Sequence, residues 1–478
     1  MVGFGLQDQQ IHQEKRPHLV RLRTSLLKRR VNGDLMLRYQ AAGLTSYAGL
    51  ELLRRFCATV GVKDLLRRKL SNRLPRSDFS SVSLVMLLIA MLVSGARRVH
   101  QLGYLESDPV VARFSGLARL PSVRSLSRWL GRCEDPAVEA LAEANAEITS
   151  AAVQALKLKT LTVDVDGSVV STGLTVESAR RGFNPHHRKV PSYYPITAYE
   201  ARSGLILRCQ NRPGNVHDGK ASLEFLDALI TQIEDALPAR PDIEMRMDGA
   251  FFRQDVLDHL GAAQAGYAIK VPFYRWLGLK EAVAARQRWR RIDAKLSYFE
   301  IDRWIESWQR RQRVIIYRKK VAHETRKNFQ LDLFDPDDGH YEYSAVTTNL
   351  GISGGSLWQF MAGRGTHEQA YAELKSGFAF DAVPSQSYAA NSAWQQLNII
   401  AFNLVRRFQM AALAEKRTTN QKRRTVFKFS TIRTLRYQCF SRAGVLTRPG
   451  GRQTLDIGTA PLVRSFFERV ERRLLTSF

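Results

Sequence analysis

The sequence predicts a mixed α/β protein in which an α-helical region precedes the sheet and an all-β insertion interrupts it. Apolar residues recur at helical spacing up to about residue 155. Strand-like runs then alternate with helical runs, a pattern typical of a sheet flanked by helices. The expected boundaries are 1–155 for the helical region, 156–274 and 346–412 for two parts of the core, 275–345 for the insertion, and 413–478 for a basic C-terminal region.

The helical region contains one strongly apolar run, LVMLLIAMLV at residues 84–93. That run has about half of the ~20 residues that a bilayer span requires, so it predicts a buried helix. The N-terminal residues lack the basic and then apolar pattern of a secretory signal. We therefore expect a cytoplasmic protein that does not act in a membrane.

A second segment of the helical region, LPSVRSLSRWLGR, has the features of an amphipathic helix. Ser122 can cap its start. Arg124 and Arg128 fall on one side, and Trp129 falls on the apolar side. Such a helix suits the recognition helix of a helix-turn-helix, which lies in the DNA major groove. A basic surface helix that only packs on its neighbours fits the same pattern.

The core begins with LTVDVDGSVV, which predicts a strand, and continues with YYPITAYEARSGLILRCQ, which predicts a β-hairpin around Ser203-Gly204. Helix-like and strand-like runs then alternate as far as GYAIKVP at 266–272. The insertion contains strand-like runs edged by Arg and Lys. We expect its tryptophans to pack in the core beside the strands rather than to stack on a flipped base. They are Trp289, Trp304 and Trp308.

Two long helices are expected after the insertion, over 356–378 and 388–415. Beyond Glu415 no acidic residue occurs before Asp456, whereas basic residues accumulate. This segment predicts an arm that is disordered or contacts phosphates. The whole chain has 72 Lys and Arg against 45 Asp and Glu, a net charge of +27, which favours a polyanionic partner such as nucleic acid or an anionic membrane.

Carboxylates stand at the ends of two predicted strands, Asp164 and Asp166 in TVDVDGSVV and Asp248 in MRMDGAFF. A carboxylate on an apolar strand is costly to bury unless it is paired or binds a metal. Glu368, on a later helix, would complete an oxygen ligand set for Mg²⁺. Two such ions can activate an attacking oxygen and stabilise a leaving oxygen at a phosphodiester.

Around that glutamate, RGTHEQAYAELKSG places Arg364, Glu368, Tyr371 and Lys375 on one stripe if the segment is helical throughout. The cations would then hold phosphate oxygens beside the metal. A surface i,i+4 ion pair is the competing interpretation. A capping box from Thr366 would instead start the helix after Arg364 and leave that arginine in a turn.

Arg364-x3-Glu368-x6-Lys375 resembles the Arg-Glu-Lys part of the YREK signature of bacterial insertion-sequence DDE transposases. The first tyrosine of that signature falls on Met361, a departure. Further matching segments are DGS at 166–168, MDGAFF at 247–252, GFNPHHRKVPSYYP at 182–195, RPGNVHDG at 212–219, and AANSAWQQLNIIAFNLVRRF at 389–408.

The resemblance implies a ribonuclease-H-like catalytic core with a β-strand insertion. It implies a metal-binding catalytic triad of Asp166, Asp248 and Glu368, with Asp164 as the alternative first carboxylate. The expected cofactor is Mg²⁺, with Mn²⁺ as a substitute. The expected partners are double-stranded DNA at transposon ends and target DNA, and a second copy of the chain in a synaptic complex at the bacterial nucleoid. The expected DNA contacts are Arg364, Lys375, Arg124, Arg128, His187 and Arg188.

Three alternatives to a transposase remain from the residues alone. LTVDVDGSVV also resembles the first strand of haloacid-dehalogenase-like phosphatases, in which Asp164 would be the nucleophile and Asp166 the general acid. A late acidic pair would then have to come from DPDDG at 335–339. The other two are a non-mobile nuclease and a DNA-binding regulator with the same fold.

Overall fold

The structure is a computed structural model. It describes residues 36–39, 41–182, 189–216, 218–219, 221–321, 341–417, 423–458 and 460–476. His187, Arg188 and the DPDDG segment lie outside these ranges. The chain divides into two units, Met1–Ala42 and Gly43–Phe478, and every element given below belongs to the second. Within these ranges, no helix is both long enough and apolar enough to cross a membrane.

The N-terminal part of the second unit is helical, as predicted. After a short strand β1 (Leu44–Thr45), the helices are α1 (Leu50–Thr59), α2 (Val62–Leu70), α3 (Ser81–Ser94), α4 (Pro109–Ser115), α5 (Val123–Gly131) and α6 (Asp135–Leu156). The apolar run at 84–93 lies in α3 and is buried along its whole length. The backbone N–H of Ser125 donates to Ser122 Oγ (3.1 Å), so α5 begins where the sequence predicted.

The core sheet begins directly after α6. Its strands and the small pair beside it are β2 (Thr160–Gly167), β3 (Val170–Ser171), β4 (Ser192–Tyr193), β5 (Ile196–Glu200), β6 (Leu205–Gln210), β7 (Asp242–Met247) and β8 (Gly266–Val271). β2 pairs antiparallel with β5, and β5 with β6. On its other side β2 pairs parallel with β7, and β7 with β8. Helices α7 (Leu223–Ala236) and α8 (Gln254–Ala262) make the crossovers that parallel pairing requires.

The insertion extends this sheet. Its elements are α9 (Leu279–Ala284), β9 (Arg290–Arg291), β10 (Leu296–Ile305), β11 (Arg310–Lys320) and β12 (Tyr341–Thr348). β12 pairs antiparallel with β8, which gives one nine-stranded sheet in the order β6-β5-β2-β7-β8-β12-β11-β10-β9. Over its described residues the insertion is thus mainly β, with one short α-helix, and β12 joins it to the core by hydrogen bonds to β8.

Three helices follow the insertion: α10 (Gly354–Ala362), α11 (Gly365–Phe378) and α12 (Tyr388–Ala412). The expectation of one continuous helix over 356–378 was wrong, because the chain turns at Gly363 and Arg364. The alternative, a helix that starts after Arg364, is confirmed, although it does not start with a capping box. Thr366 Oγ1 donates to the Gly363 carbonyl (3.0 Å), and α11 begins at Gly365.

β6 is an edge strand, and the backbone groups on its unpaired side form hydrogen bonds with amide side chains of two helices. Asn403 of α12 accepts from the Ile206 N–H (3.0 Å) and donates to the Ile206 carbonyl (2.8 Å). Asn145 of α6 donates to that carbonyl as well, and Gln396 of α12 donates to the Cys209 carbonyl (2.9 Å). These bonds satisfy polar groups that a bare sheet edge would offer to another strand.

The basic C-terminal region is folded over its described part, so the alternative of a disordered arm is wrong there, and contact with phosphates stays a prediction. Its elements are β13 (Glu415–Lys416), β14 (Phe427–Lys428), α13 (Ile432–Leu435), β15 (Gly444–Thr447), β16 (Thr454–Ile457) and α14 (Pro461–Thr476). β15 pairs with β1 and with β16. The Arg436 guanidinium donates to the carbonyls of Leu92, Val93 and Gly377, which ties the ends of α3 and α11 together.

Candidate active site

Asp166 and Asp248 lie at the carboxyl ends of two neighbouring parallel strands. β2 and β7 are in register up to Val165 and Met247, and the two aspartates are the next residue on each strand. Neighbouring strands lie roughly 4.8 Å apart, so both carboxylates belong to one edge of the sheet. Asp248 Oδ1 also accepts from the Ala250 N–H (3.0 Å) and starts a short 3₁₀ turn.

Asp164 lies two residues earlier, on the same face of β2, and has a different environment. Its carboxylate accepts two hydrogen bonds from Arg246 of β7, at Oδ1 (2.5 Å) and Oδ2 (2.8 Å). Both side chains are completely buried. Arg246 also donates to the Phe360 carbonyl (2.8 Å), which fastens α10 to the sheet. Asp164 is therefore part of a buried ion pair within the core.

Asp166 keeps about one fifth of its side chain exposed. Arg364 Nη2 donates to Asp166 Oδ2 (2.6 Å), and the Gly167 N–H donates to Oδ1 (3.0 Å). Burial raises the pKa of Asp166 to about 7, with Asp248 and Asp218 adding to the shift and Arg364 opposing it. Burial, more than the neighbouring charges, therefore determines the protonation of Asp166.

Asp218 is a neighbour of this edge that the sequence analysis did not single out. It is buried and forms an ion pair with Arg212. A Cβ on Gly167 would lie 2.6 Å from Asp218 Oδ1 and 2.4 Å from Tyr194 Cε1. Only glycine therefore fits after Asp166. The RPGNVHDG segment contained the residue, but its approach to the strand end depends on the tertiary fold.

Helix α11 is joined to the end of β2 by two further bonds. The Tyr371 hydroxyl donates to the Asp166 carbonyl (3.0 Å), and Lys375 Nζ donates to the Val169 carbonyl (2.9 Å). Burial lowers the pKa of Lys375. Arg364, Tyr371 and Lys375 thus all reach the β2 end, although Arg364 does so from the turn before the helix.

Glu368 lies in the first turn of α11, and its side chain is exposed. Burial is the largest cause of the raised pKa of Asp164, and the negative charge of Glu368 raises it further. Within the described ranges, no three His, Cys, Asp or Glu side chains come close enough together to hold a metal ion. Asp166 and Asp248 nevertheless fit a divalent cation in donor type, because carboxylate oxygens are hard ligands and their mutual repulsion would be offset by the ion.

Two more of the predicted DNA contacts, Arg124 and Arg128, lie on α5. Arg124 and Arg128 are exposed, whereas Leu126, Trp129 and Leu130 are buried, as the amphipathic pattern predicted.

The tryptophans of the insertion differ from one another in their surroundings. Trp289 packs edge-on against Phe299 (ring centroids 4.7 Å apart), and Trp304 is 45% exposed.

The sheet that holds Asp166 and Asp248 has both parallel and antiparallel strands and is flanked by helices, which confirms the mixed α/β class that the sequence predicted. The chain belongs to the family of the transposase DDE domain, group 1, whose family model matches residues 29–477. No curated protein matches the sequence.

Two solved structures are similar. A piggyBac transposase synaptic complex with hairpin DNA matches at 10% identity and a TM-score of 0.36, covering 83% of this chain and 82% of that one. A Mos1 transposase paired-end complex with left transposon end matches at 13% identity and a TM-score of 0.17, covering 41% and 59%. TM-scores this low support no conclusion about this chain.

Membership of the family makes this protein a DDE transposase, an enzyme of DNA transposition that cleaves DNA and transfers strands. DDE transposases generally use divalent metal ions. The phosphatase alternative loses its support, because the buried ion pair with Arg246 keeps Asp164 from acting as a nucleophile.

Proposed function

We propose that Asp166, Asp248 and Glu368 form the catalytic, metal-binding triad and that the ion is Mg²⁺, with Mn²⁺ as a substitute. The observation that carries this proposal is the placement of Asp166 and Asp248 side by side at the ends of parallel strands. The pKa of Asp166, raised to about 7 by burial and then by Asp248 and Asp218, supports it, since a cation would stabilise both carboxylates.

The reaction is hydrolysis at a transposon end followed by attack of the freed 3′-OH on DNA. When bound, the metal would lower the pKa of a water and stabilise the leaving oxygen. The chain would hold the ion through the three carboxylates and the strand through its cations. Arg364 Nε is buried without a hydrogen-bond partner in the described part of the chain, so this guanidinium does not use all of its donors within the protein.

The DNA partners would be the transposon ends and the target. The exposed Arg124 and Arg128 on α5 would contact end DNA, and the net charge of +27 would favour the approach of duplex DNA in general. His187 and Arg188 keep the same proposed role from the sequence alone. Two copies of the chain would hold two transposon ends together in a synaptic complex. The reaction would take place at the bacterial nucleoid, where the DNA substrate is.

The triad is tested by Asp248→Ala and Glu368→Ala. We expect each variant to bind end DNA as the wild type does and to lose Mg²⁺-dependent strand cleavage and strand transfer. Glu281→Ala is the matched control, since Glu281 is also an exposed glutamate in the first turn of a helix. Wild-type cleavage by either triad variant would refute the assignment of that residue.

A further inference from the structure

Three buried side chains form a hydrogen-bonded chain that ends on the backbone of Asp166. His367 Nε2 is 2.9 Å from Thr197 Oγ1, and Thr197 Oγ1 is 2.7 Å from the Tyr371 hydroxyl. The Tyr371 hydroxyl is 3.0 Å from the Asp166 carbonyl oxygen. Thr197 of β5 is also the residue that pairs with Asp166 of β2 in the sheet. The hydrogen-bonded side chains therefore begin and end at neighbouring positions of these two strands.

The direction of these bonds follows from their last acceptor. A carbonyl can only accept, so Tyr371 must donate its single hydroxyl hydrogen to Asp166. Thr197 must then donate to the Tyr371 oxygen, and His367 must donate to Thr197 through Nε2–H. The remaining nitrogen, His367 Nδ1, carries no hydrogen in this arrangement and is buried without a hydrogen-bond partner in the described part of the chain.

The surroundings hold this chain in place. The imidazole of His367 is stacked between the rings of Tyr199 and Tyr371, with centroids 5.3 Å and 4.8 Å away. His367 and Thr197 are both buried, so water does not compete for the hydrogen bond between them. Each buried polar group here costs free energy if its partner is removed.

One peptide group connects Tyr371 to the carboxylate of Asp166. The carbonyl that accepts from Tyr371 belongs to the Asp166–Gly167 peptide, which is planar. The N–H of the same peptide donates to Asp166 Oδ1 (3.0 Å). A hydroxyl that fixes the carbonyl therefore also fixes the N–H that holds the carboxylate. Glycine is the most freely rotating residue, so this plane needs such a constraint.

We propose that Tyr371 is a positioning residue that sets the orientation of the Asp166 carboxylate through the Asp166–Gly167 peptide, with Thr197 and His367 fixing the tyrosine hydroxyl. This inference rests on the proposed role of Asp166 as a metal ligand. It gives Tyr371 a task distinct from phosphate binding by Arg364 and Lys375. Partners that orient a metal ligand affect metal affinity by about 10- to 100-fold when removed.

The test uses Tyr371→Phe in the full chain bound to end DNA. Mn²⁺ affinity is measured by electron paramagnetic resonance, and strand cleavage is measured across a Mg²⁺ titration. We expect Mn²⁺ to bind about 10- to 100-fold more weakly and half-maximal cleavage to require correspondingly more Mg²⁺, with DNA affinity unchanged. Tyr317→Phe is the matched control, since it removes another buried hydroxyl that donates to a backbone carbonyl, that of Gly354 (2.8 Å).

Two variants of Thr197 test the chain independently of the tyrosine. Thr197→Val removes the hydroxyl at nearly constant shape and should reproduce the loss of Mn²⁺ affinity. Thr197→Ser keeps the hydroxyl and should retain wild-type affinity. These two variants decide the question if Tyr371→Phe does not fold.

Wild-type Mn²⁺ affinity in Tyr371→Phe, or in a folded Thr197→Val, would overturn the positioning role. Failure of the triad itself gives a different result. In that case Asp248→Ala cleaves DNA and binds Mn²⁺ as the wild type does, whatever the Tyr371 variant does.

Discussion

The guanidinium of Arg364 donates to the carboxylate of Asp166 across 2.6 Å, with only 8% of the arginine side chain exposed. The arginine comes from the turn between α10 and α11, and the aspartate comes from the end of β2. Because Arg364 is a fixed cation, it favours the ionised form of Asp166 and opposes the effect of burial on its pKa. Arg364 thus stabilises the ionised form of Asp166 before any DNA binds.

That relationship predicts a pH effect for Arg364→Gln. A carboxylate whose pKa is about 7 is protonated below that pH and must lose the proton to bind a metal, so wild-type cleavage should fall as the pH drops through about 7. Without the arginine the pKa of Asp166 rises further. The acidic limb of the cleavage profile should therefore move to higher pH by about one unit or more. Arg464→Gln, which breaks an exposed pair with Glu468, serves as the control, and an unmoved limb would contradict the prediction.

Replacing Asp164 with asparagine should mainly reduce stability, whereas replacing Asp166 with asparagine should mainly abolish cleavage. Asp164→Asn leaves the buried charge of Arg246 without its partner, and the free energy of unfolding should fall by about 3–5 kcal/mol. Asp166→Asn should change stability much less and should abolish cleavage. Urea denaturation and a cleavage assay on both variants check this. An Asp164→Asn variant of wild-type stability that cannot cleave would instead make Asp164 the first carboxylate.

Gly167→Ala should be damaging because a Cβ there would overlap Tyr194 and Asp218, with contacts of 2.4 Å and 2.6 Å. We expect a loss of about 1–3 kcal/mol in unfolding free energy, as for other overpacked sites, together with slower cleavage. Gly261→Ala is the control, since a Cβ there meets nothing within 4 Å. Equal stability of the two variants would show that the Asp218 segment moves away from β2 without cost.

Arg124→Ala combined with Arg128→Ala should weaken binding of end DNA. Each arginine that neutralises a phosphate adds about one unit to the slope of log affinity against log salt, so the slope should decrease by about two. Fluorescence anisotropy at several salt concentrations measures this. The same double change at Arg464 and Arg469 of α14 controls for net charge. An unchanged slope would mean that α5 only packs against its neighbours.

The sequence by itself determined the elements and the residue types at the site. The apolar run of α3, the periodicity of α5, the hairpin at Ser203-Gly204 and the strands that lead to Asp166 and Asp248 depend on local patterns, and each appears where predicted. The Arg-Glu-Lys spacing pointed to the family whose model matches residues 29–477.

The tertiary structure alone decided which charges meet. Asp164 and Arg246 are 82 residues apart, and only the parallel register of β2 and β7 places them together. The same holds for the approach of Asp218 to Gly167 and for the turn that brings Arg364 to Asp166. Local periodicity reports which face of an element is buried. It does not report which distant side chain neutralises a buried charge, because that depends on how the elements pack.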